Sequence, residues 1–330
     1  MRTVARLLLI AFIAVAGATG LQFLPPGHEP PRLPADVYRA AWIGVEWAME
    51  PHDPAELRGL ATDLSDRRIR FAYLYVSYLR PDGTFNPTFD HARTLTDTLR
   101  ALAPDITLLA WIGVPIQGSD PDGFEINRLE DTTIRGSIAK FAAFSVSELG
   151  FDGVHLNAEL AANGDTALLD TLRGMRESMP DDALLSTTAH ALRLTEPVTF
   201  IPYPAAAHHW SVDYLRDVAA TVDQIALMAY DSGLPFPADY RRWMTYQVVT
   251  ATEALAGAST DLVVGIPTSE EWTPSHQTQG ETLDTALWGL RNGLAQSASP
   301  QTLSGIAIYP YWETSADEWV RIIASAEHDP

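Results

Sequence analysis

The sequence has no cysteine and no excess of positive charge, and both absences exclude classes of function. Without cysteine, the chain cannot form disulfides, use a thiolate, ligate zinc through sulfur or carry a bacterial lipid anchor on a cysteine. The formal net charge of −20 argues against nucleic acid or an anionic membrane surface as the main partner, because either would need a basic face. No carboxylate lies at ligand spacing from the His208-His209 pair, and we predict neither a metal site nor a cofactor.

What the chain does contain is typical of a globular protein. Hydrophobic residues make up 46% of the 330 positions and charged residues 19%, which argues against disorder. The length suits one large domain or two small ones.

The N-terminus has the pattern of a targeting segment. Arg2 and Arg6 precede an apolar run over residues 7–16, and Ala16-Gly17-Ala18 is a candidate cleavage site. A cleaved signal peptide and an uncleaved membrane anchor both remain open, and either places the folded part outside the cytoplasmic membrane. We therefore divide the chain into a signal or anchor (1–24), a proline-rich spacer (25–37) and a folded domain (38–330).

Short β-rich apolar runs alternate with helical patterns after the spacer. There are eight such runs, at residues 39–47, 70–79, 106–114, 152–159, 183–190, 223–230, 261–268 and 304–312. Asp53-Pro54 illustrates the helix signals between them, as an N-cap followed by proline at the first helical position. Eight strand–helix pairs predict an α/β protein with a (β/α)₈ TIM barrel, and an open doubly wound sheet is the alternative.

The interval before the last strand bears on domain organisation. Only about 37 residues separate Pro267 from Gly305, which leaves no room for a small α+β insertion beside the expected helix. We therefore predict a single domain without such an insertion.

The active site of a (β/α)₈ barrel lies at the carboxyl ends of its strands. Carboxylates and aromatic rings dominate those ends here, and rings stack well on the apolar face of a sugar. At the first end we expect Glu46 and Trp47 to contact the substrate. The polar and aromatic residues at the predicted ends are Glu46, Trp47, Ser77, Tyr78, Asn157, Glu159, His190, Tyr230, Asp231, Thr268, Tyr311 and Trp312.

The fourth run carries the most informative polar pattern. Because side chains alternate along a strand, His155, Asn157 and Glu159 should all point into the barrel. Glu159 stands last, and we expect it to be a mostly buried general acid. His155, which we place in the binding site, has two interpretations: a neutral imidazole that fills the barrel and bonds Asn157, or a catalytic base or metal ligand.

The same run resembles a motif of the family-18 glycoside hydrolases, the chitinases and endo-β-N-acetylglucosaminidases. Residues 152–159, Asp-Gly-Val-His-Leu-Asn-Ala-Glu, resemble that family's fourth-strand pattern Asp-Gly-x-Asp-x-Asp-x-Glu and depart from it at His155 and Asn157. The segment with Met228, Tyr230 and Asp231 resembles the sixth-strand pattern Met-x-Tyr-Asp.

Two further segments bear on the likeness. Trp312 falls where the family has the tryptophan that floors the sugar site, and residues 262–268 are similar to its seventh strand. The family's third-strand Ser-x-Gly-Gly is absent, since Trp-Ile-Gly-Val-Pro-Ile-Gln-Gly stands there. The resemblance covers most of residues 40–325.

The resemblance implies a retaining, substrate-assisted hydrolysis of N-acetylglucosamine-containing glycans, in which the substrate's own acetamide oxygen attacks the anomeric carbon. It implies that Glu159 donates the proton, that Asn157 holds the acetamide N–H and that Tyr230 bonds the acetamide oxygen. Asp231, Met228 and Trp312 would contact the sugar. Asn-x-Glu is also similar to the pattern of family-85 endo-β-N-acetylglucosaminidases, so Asn157 does not imply loss of activity.

Two other functions remain open. The barrel could be a non-catalytic carbohydrate-binding protein, since two aspartates of the family motif are missing. It could also be an ordinary two-carboxylate hydrolase that pairs Glu159 with Asp231 or Glu46. In each case the partner is a carbohydrate, and we expect a monomer.

Overall fold

The computed structural model describes residues 29–119, 125–194 and 209–326, which fold around one closed barrel. Its strands are β1 (Tyr38–Ile43), β2 (Ile69–Tyr78), β3 (Thr107–Pro115), β6 (Gly153–Glu159), β7 (Leu184–Ala189), β8 (Gln224–Leu227), β9 (Asp261–Pro267) and β10 (Leu303–Tyr309). A short antiparallel pair, β4 (Gln117–Ser119) and β5 (Glu125–Asn127), follows β3.

Helices cover the outside of the barrel. They are α1 (Glu46–Met49), α2 (Pro54–Asp66), α3 (Ala92–Leu102), α4 (Thr132–Ser147), α5 (Thr166–Ser178), α6 (Val212–Ala219), α7 (Pro237–Ala254), α8 (Leu283–Gln296) and α9 (Ala316–Ala326). The predicted N-cap of α2 is present. The Asp53 carboxylate accepts hydrogen bonds from the backbone N–H groups of Ala55 and Glu56, and the Glu56 carboxylate accepts one from the Asp53 N–H.

The strands run parallel around the barrel in the order β1, β2, β3, β6, β7, β8, β9, β10, and β10 pairs with β1 to close it. The predicted (β/α)₈ barrel is therefore confirmed. Between β9 and β10 the chain forms a loop, α8 and one 3₁₀ turn, so the expectation that no insertion domain lies there is also confirmed.

The barrel interior is filled mainly by aromatic rings that meet small side chains. Trp42, Tyr73 and Trp111 pack in one buried cluster with Ala40, Ala226 and Ala307 from other strands. Large residues opposite small ones fill a closed barrel without voids. The interior is consequently a packed core that supports the site above it.

A chain of hydrogen bonds runs through this core and begins near the amino ends of the strands. The Tyr38 hydroxyl donates to an Asp261 carboxylate oxygen at 3.0 Å. The Gln224 amide N–H donates to the Tyr38 oxygen at 3.1 Å, and the Tyr73 hydroxyl donates to the Gln224 carbonyl oxygen at 2.8 Å. Each of these groups has a partner, which removes most of the cost of burying it.

The same series of hydrogen bonds continues toward the carboxyl ends of the strands, to residues of β6 and β1. The Ser186 hydroxyl donates to the Gln224 carbonyl oxygen at 2.7 Å, and His155 bonds the Ser186 oxygen through Nδ1 at 2.8 Å. The indole N–H of Trp42 donates to His155 Nε2 at 3.0 Å. The chain thus connects the bottom of the barrel to a residue just below the site.

Residues 29–37 are not a free spacer. Leu33 is fully buried and Val37 is buried, both in the main core. The Leu33 N–H donates to the Ser325 carbonyl at 2.9 Å, and Arg291 bonds the carbonyl of Pro31 at 2.6 Å. The described part of the predicted spacer therefore belongs to the barrel domain, because its apolar side chains are covered by it.

Residues 1–28, which include the predicted signal or anchor, lie outside the described part. Among the described residues, no helix has both the length and the apolar character that crossing a bilayer requires.

Gly153 gives a direct test of the barrel packing. A Cβ atom at this position would lie 2.1 Å from the Leu184 carbonyl oxygen of the neighbouring strand, and a backbone atom in a ladder cannot move aside. We expect Gly153→Ala to lower the free energy of unfolding by about 2 kcal/mol or more. Gly174→Ala is the matched control: it lies inside α5 with nothing within 4 Å of its added Cβ and should stabilise by about 0.5–1 kcal/mol. Urea denaturation of both variants checks the prediction, and equal effects would contradict it.

Candidate active site

A pocket of about 420 Å³ opens at the carboxyl ends of the barrel strands. This is the end at which barrels of this type place their chemistry. Strand ends and following loops supply its walls, which consist of Trp42, Trp111, Asn157, Glu159, Leu160, Thr188, His190, Ala191, His209, Met228, Tyr230, Asp231, Ser275 and Tyr309. Of the predicted site residues, the pocket brings together Asn157, Glu159, Met228, Tyr230 and Asp231.

His155 lies below this pocket and has no exposed surface. Its ring stacks on Tyr73 at 4.0 Å between centroids, and burial lowers its pKa to about 3. The imidazole is therefore neutral. Its Nε2 accepts from Trp42, so Nδ1 carries the proton and donates to Ser186.

These contacts settle between the two interpretations of His155. Without exposed surface it cannot contact a substrate, and its only lone pair is already used by Trp42, so it cannot serve as a base. The expected bond to Asn157 is not formed either, because each side chain bonds its own partner on β7, His155 with Ser186 and Asn157 with Thr188. The packing interpretation holds, with Trp42 and Ser186 as the partners.

Asn157 bridges the acid and the next strand. Its amide N–H donates to Glu159 Oε1 at 2.9 Å, and its carbonyl oxygen accepts the Thr188 hydroxyl of β7 at 2.9 Å. The contact with Glu159 follows from the alternation of β6, which puts residues 157 and 159 on one face, and the contact with Thr188 follows from the pairing of β6 with β7. The ionised Glu159 carboxylate can only accept, so it faces the amide N–H of Asn157, and the Thr188 hydroxyl donates to the amide oxygen that is left.

Glu159 occupies the top of β6 and opens to the pocket. The expectation that it is mostly buried is wrong, because its side chain is exposed at the open end of the strand. Surrounding protein still displaces much of its water, and this desolvation raises its pKa. The hydrogen bond from Asn157 lowers the pKa and the charge of Asp231 raises it, with a net upward shift. A carboxyl group in such surroundings can hold a proton for delivery.

Tyr230 supplies a neutral hydroxyl to the pocket lining. Burial, followed by the nearby Tyr309 phenol and the charges of Asp231 and Glu159, raises its pKa well above the usual value. Its ring stacks on Tyr309 at 5.1 Å. Gly265 of β9 makes room for the ring, since a Cβ there would lie 2.6 Å from it.

The Tyr230 hydroxyl makes no hydrogen bond to any residue of the described part of the chain. It is consequently available to donate to a ligand.

Asp231 lies on the rim of the pocket next to a second polar group. It has a φ of +54°, a conformation that aspartate adopts more readily than most residues. Its Oδ1 lies 3.5 Å from Nδ1 of buried His276, and Glu281 Oε2 lies 3.5 Å from the same nitrogen. Burial lowers the pKa of His276, but the carboxylates of Asp231 and Glu281 outweigh it and raise the pKa to about 10.

Three predicted substrate contacts lie away from the pocket walls. β1 ends at Ile43, so Glu46 and Trp47 begin the short helix α1 rather than the strand end. Trp47 stacks on His52 at 4.4 Å, and neither residue lines the pocket. Trp312 also lies outside the lining but beside it, exposed and edge-on to Tyr309 at 6.1 Å.

Sequence reasoning missed Trp42 and Trp111, which form much of the apolar wall. Both carry an indole into the pocket lining, and the Trp111 N–H is buried without a hydrogen-bond partner in the described residues. A signal for them exists: the tetrapeptide Trp-Ile-Gly-Val occurs at 42–45 and again at 111–114. Strand alternation points both tryptophans inward near the strand tops.

Comparisons with known proteins show what this fold is like. No family model matches the sequence, and no curated protein matches it. Among solved structures, the spore cortex-lytic enzyme SleL from Bacillus cereus superposes with a TM-score of 0.57 at 14% identity, over 92% of this chain and 76% of that one.

Two chitinases superpose equally well. A class V chitinase from Pseudomonas fluorescens gives a TM-score of 0.58 at 13% identity, over 88% of this chain and all of that one (100%). A chitinase from Bacteroides thetaiotaomicron gives 0.55 at 15% identity, over 88% and 95%. The chain therefore has a divergent form of the barrel fold of chitinases and cortex-lytic enzymes.

Proposed function

We propose that this protein is a retaining, substrate-assisted glycoside hydrolase that cleaves β-glycosidic bonds in N-acetylglucosamine-containing glycans. The observation that carries the proposal is the constellation in one pocket of three groups: Glu159 with its raised pKa, Asn157 bonded to it, and Tyr230, whose hydroxyl bonds none of the described residues. A sugar-binding protein needs no protonated carboxyl group beside two amide-binding groups. The fold likeness to chitinases and SleL agrees with this choice.

In the first step, Glu159 gives its proton to the glycosidic oxygen as the bond from that oxygen to the anomeric carbon breaks. The acetamide oxygen of the same sugar forms a new bond to that carbon from the opposite side, which yields a cyclic oxazolinium ion. The raised pKa of Glu159 keeps the acid protonated nearer to neutral pH, where general acid catalysis needs it.

In the second step, the Glu159 carboxylate takes a proton from a water molecule. That water attacks the anomeric carbon and opens the oxazolinium ring, so two inversions give net retention. The Asn157 N–H at 2.9 Å stabilises the charged carboxylate between the two steps.

Asn157 and Tyr230 position the acetamide. The Asn157 carbonyl oxygen has two lone pairs, of which Thr188 uses one, so the second can accept the acetamide N–H. The Tyr230 phenol, kept neutral by its raised pKa, can donate to the acetamide oxygen. Holding the nucleophile in line with the anomeric carbon lowers the activation free energy, by about 7–11 kcal/mol at most in well-oriented intramolecular reactions.

Aromatic side chains around the pocket suit a saccharide. Trp42, Trp111 and Tyr309 line it, and exposed Trp312 stands beside them. Rings of this kind pack on the C–H face of a sugar, and the unpartnered Trp111 N–H can donate to a hydroxyl. Chitin, peptidoglycan and N-glycans all offer N-acetylglucosamine, and we propose that the enzyme meets its glycan outside the cytoplasmic membrane.

Two competing functions make different use of the same pocket. A non-catalytic carbohydrate-binding protein would bind these glycans without cleaving them. A two-carboxylate hydrolase would need a second carboxylate facing Glu159; Asp231 lines the pocket and Glu46 does not. Glu159→Gln separates a binding protein from an enzyme, and Asn157→Ala separates substrate assistance from the two-carboxylate mechanism.

Glu159→Gln should reduce hydrolysis by about 10²-fold to 10⁴-fold or more, because the shape is kept and the proton is lost. Binding of the oligosaccharide, measured by calorimetry, should persist. Glu177→Gln, on the exposed face of α5, is the matched control and should leave turnover unchanged. The assay compares chitin oligosaccharides, peptidoglycan and N-glycans. Binding without hydrolysis by the unaltered protein on all three would instead identify a binding protein.

Asn157→Ala should be nearly as damaging as the loss of the acid, since an unpositioned acetamide cannot attack. Asn157→Asp should be tolerated, because a carboxylate also accepts the acetamide N–H. The new negative charge disfavours a second one nearby, so the pKa of the acid should rise and the alkaline limb of the pH–rate profile should move to higher pH, although the two groups then titrate as a pair. A fully active Asn157→Ala variant would exclude this role and favour a second protein carboxylate as nucleophile.

A further inference from the structure

One cluster of ligand-type side chains lies on the rim of the pocket, apart from the groups that perform the hydrolysis. It consists of Asp231, in the loop after β8, and His276 and Glu281, both in the loop before α8. One oxygen or nitrogen atom from each lies within 4.8 Å of the others. No other group of three such residues in the described part of the chain is this compact.

We propose that these three residues bind a divalent cation, with zinc as the ion that their donor atoms suit best. Zinc takes imidazole nitrogen and carboxylate oxygen together, commonly with three protein ligands and one open position. Once the ion has replaced the proton on His276 Nδ1, two carboxylates and a neutral imidazole carry two negative charges, which one divalent cation neutralises.

The distances support an ion at the centre of the cluster. His276 Nδ1 lies 3.5 Å from Asp231 Oδ1 and 3.5 Å from Glu281 Oε2. These separations exceed the donor–acceptor distance of an N–H···O hydrogen bond, which is usually about 2.7–3.2 Å. These two separations are close to the edge of a tetrahedron whose corners lie about 2.1 Å from a central zinc ion, which is about 3.4 Å. The third pair, between the carboxylate oxygens of Asp231 and Glu281, lies within 4.8 Å.

Glu281 supplies an independent sign that a ligand is needed. Its side chain has no exposed surface. Its Oε1 accepts the Ser232 hydroxyl at 2.8 Å and the Gly233 N–H at 3.0 Å. Its Oε2 faces the cluster and makes no hydrogen bond within the described residues. The ion-pair contact with His276 at 3.5 Å offsets the burial of this oxygen only in part, because no hydrogen bond is made, and a bound cation would remove the remaining cost.

His276 is oriented as metal-ligating histidines usually are. Its Nε2 lies 3.0 Å from the Ser269 carbonyl oxygen, which can only accept, so Nε2 carries a proton. A bound cation would displace the proton from Nδ1, whose lone pair then points at the ion between the two carboxylates. A ligating histidine that donates its other N–H to a backbone carbonyl is a recurrent feature of zinc sites.

The fourth position of the ion lies on the pocket side. Asp231 is half-exposed and lines the pocket together with Ser275, whereas His276 and Glu281 close the site from the protein side. Water or a saccharide oxygen can therefore complete the coordination. Cation binding does not depend on the proposed hydrolysis, and it can be measured without a substrate.

The test uses the full chain without a histidine tag, stripped with a chelator and titrated with zinc chloride in a calorimeter. We expect one zinc ion per chain and a higher melting temperature with zinc. Cobalt substituted for zinc should give the visible absorption of a four- or five-coordinate ion. Parallel titrations with manganese and calcium establish the preference, and zinc should bind most tightly.

Glu281→Gln and Asp231→Asn should each weaken zinc binding by about 100-fold or more, since losing a ligand costs more than losing one of its outer hydrogen bonds. Asp231 is half-exposed, so Asp231→Asn should fold normally even if substitution of the buried Glu281 disturbs folding. Glu313→Gln is the matched control, because Glu313 bonds Ser269 at 2.8 Å but is not in the cluster, and it should bind zinc normally. Glu159→Gln should also bind zinc normally, because Glu159 is not in the cluster. Failure of the zinc proposal and failure of the proposed hydrolysis can therefore be distinguished.

Absence of binding by the unaltered protein would overturn the proposal and leave the cluster as an ion pair between a protonated His276 and two carboxylates. Zinc binding that survives both ligand substitutions would overturn it as well, because the ion would then lie elsewhere.

Discussion

The hydrogen bond from the Trp42 indole to neutral His155 is the constraint on which the upper half of the barrel depends. It requires His155 to remain unprotonated, because a proton on Nε2 would face the N–H donor at 3.0 Å. It also requires Nδ1 to donate to the Ser186 hydroxyl, which in turn donates to Gln224. A polar row that would otherwise be costly in a barrel interior is thereby satisfied at every step. Because Trp42 is both the end of this chain and a wall of the pocket, the core and the site are fixed by the same contacts.

The site itself balances opposing influences on one carboxyl group. Desolvation and the charge of Asp231 raise the pKa of Glu159, and the Asn157 amide lowers it. Glu159 must first donate and then accept a proton, and opposing effects on its pKa suit both steps because neither the protonated nor the charged form is overwhelmingly favoured. The family-18 pattern that the fourth strand resembles has aspartates at positions 155 and 157. In this chain a neutral imidazole and an amide stand there, so desolvation, followed by the charge of Asp231, raises the pKa of the acid.

The sequence was sufficient for the barrel and for the central polar residues, because both depend on periodicity. Alternation along a strand placed Asn157 and Glu159 on one face, and eight strand–helix repeats allow few other folds. Contacts between strands were not accessible in this way. The partners of His155 come from residues 113 and 31 positions away, and the end of β1 at Ile43 moves Trp47 out of the pocket. The cluster of Asp231, His276 and Glu281 is separated by up to 50 residues, so no local motif marks it.

The central claim is that the substrate's own acetamide is the nucleophile. Its most direct test is the hydrolysis of two β-linked fluorogenic disaccharides that differ only at the 2-position of the reacting sugar, one with an acetamide and one with a hydroxyl group. The account predicts turnover of the acetamide substrate and a rate lower by several orders of magnitude for the hydroxyl substrate, because the intramolecular nucleophile is missing. Equal rates on the two substrates would contradict it and would reduce Asn157 to a structural link between Thr188 and Glu159.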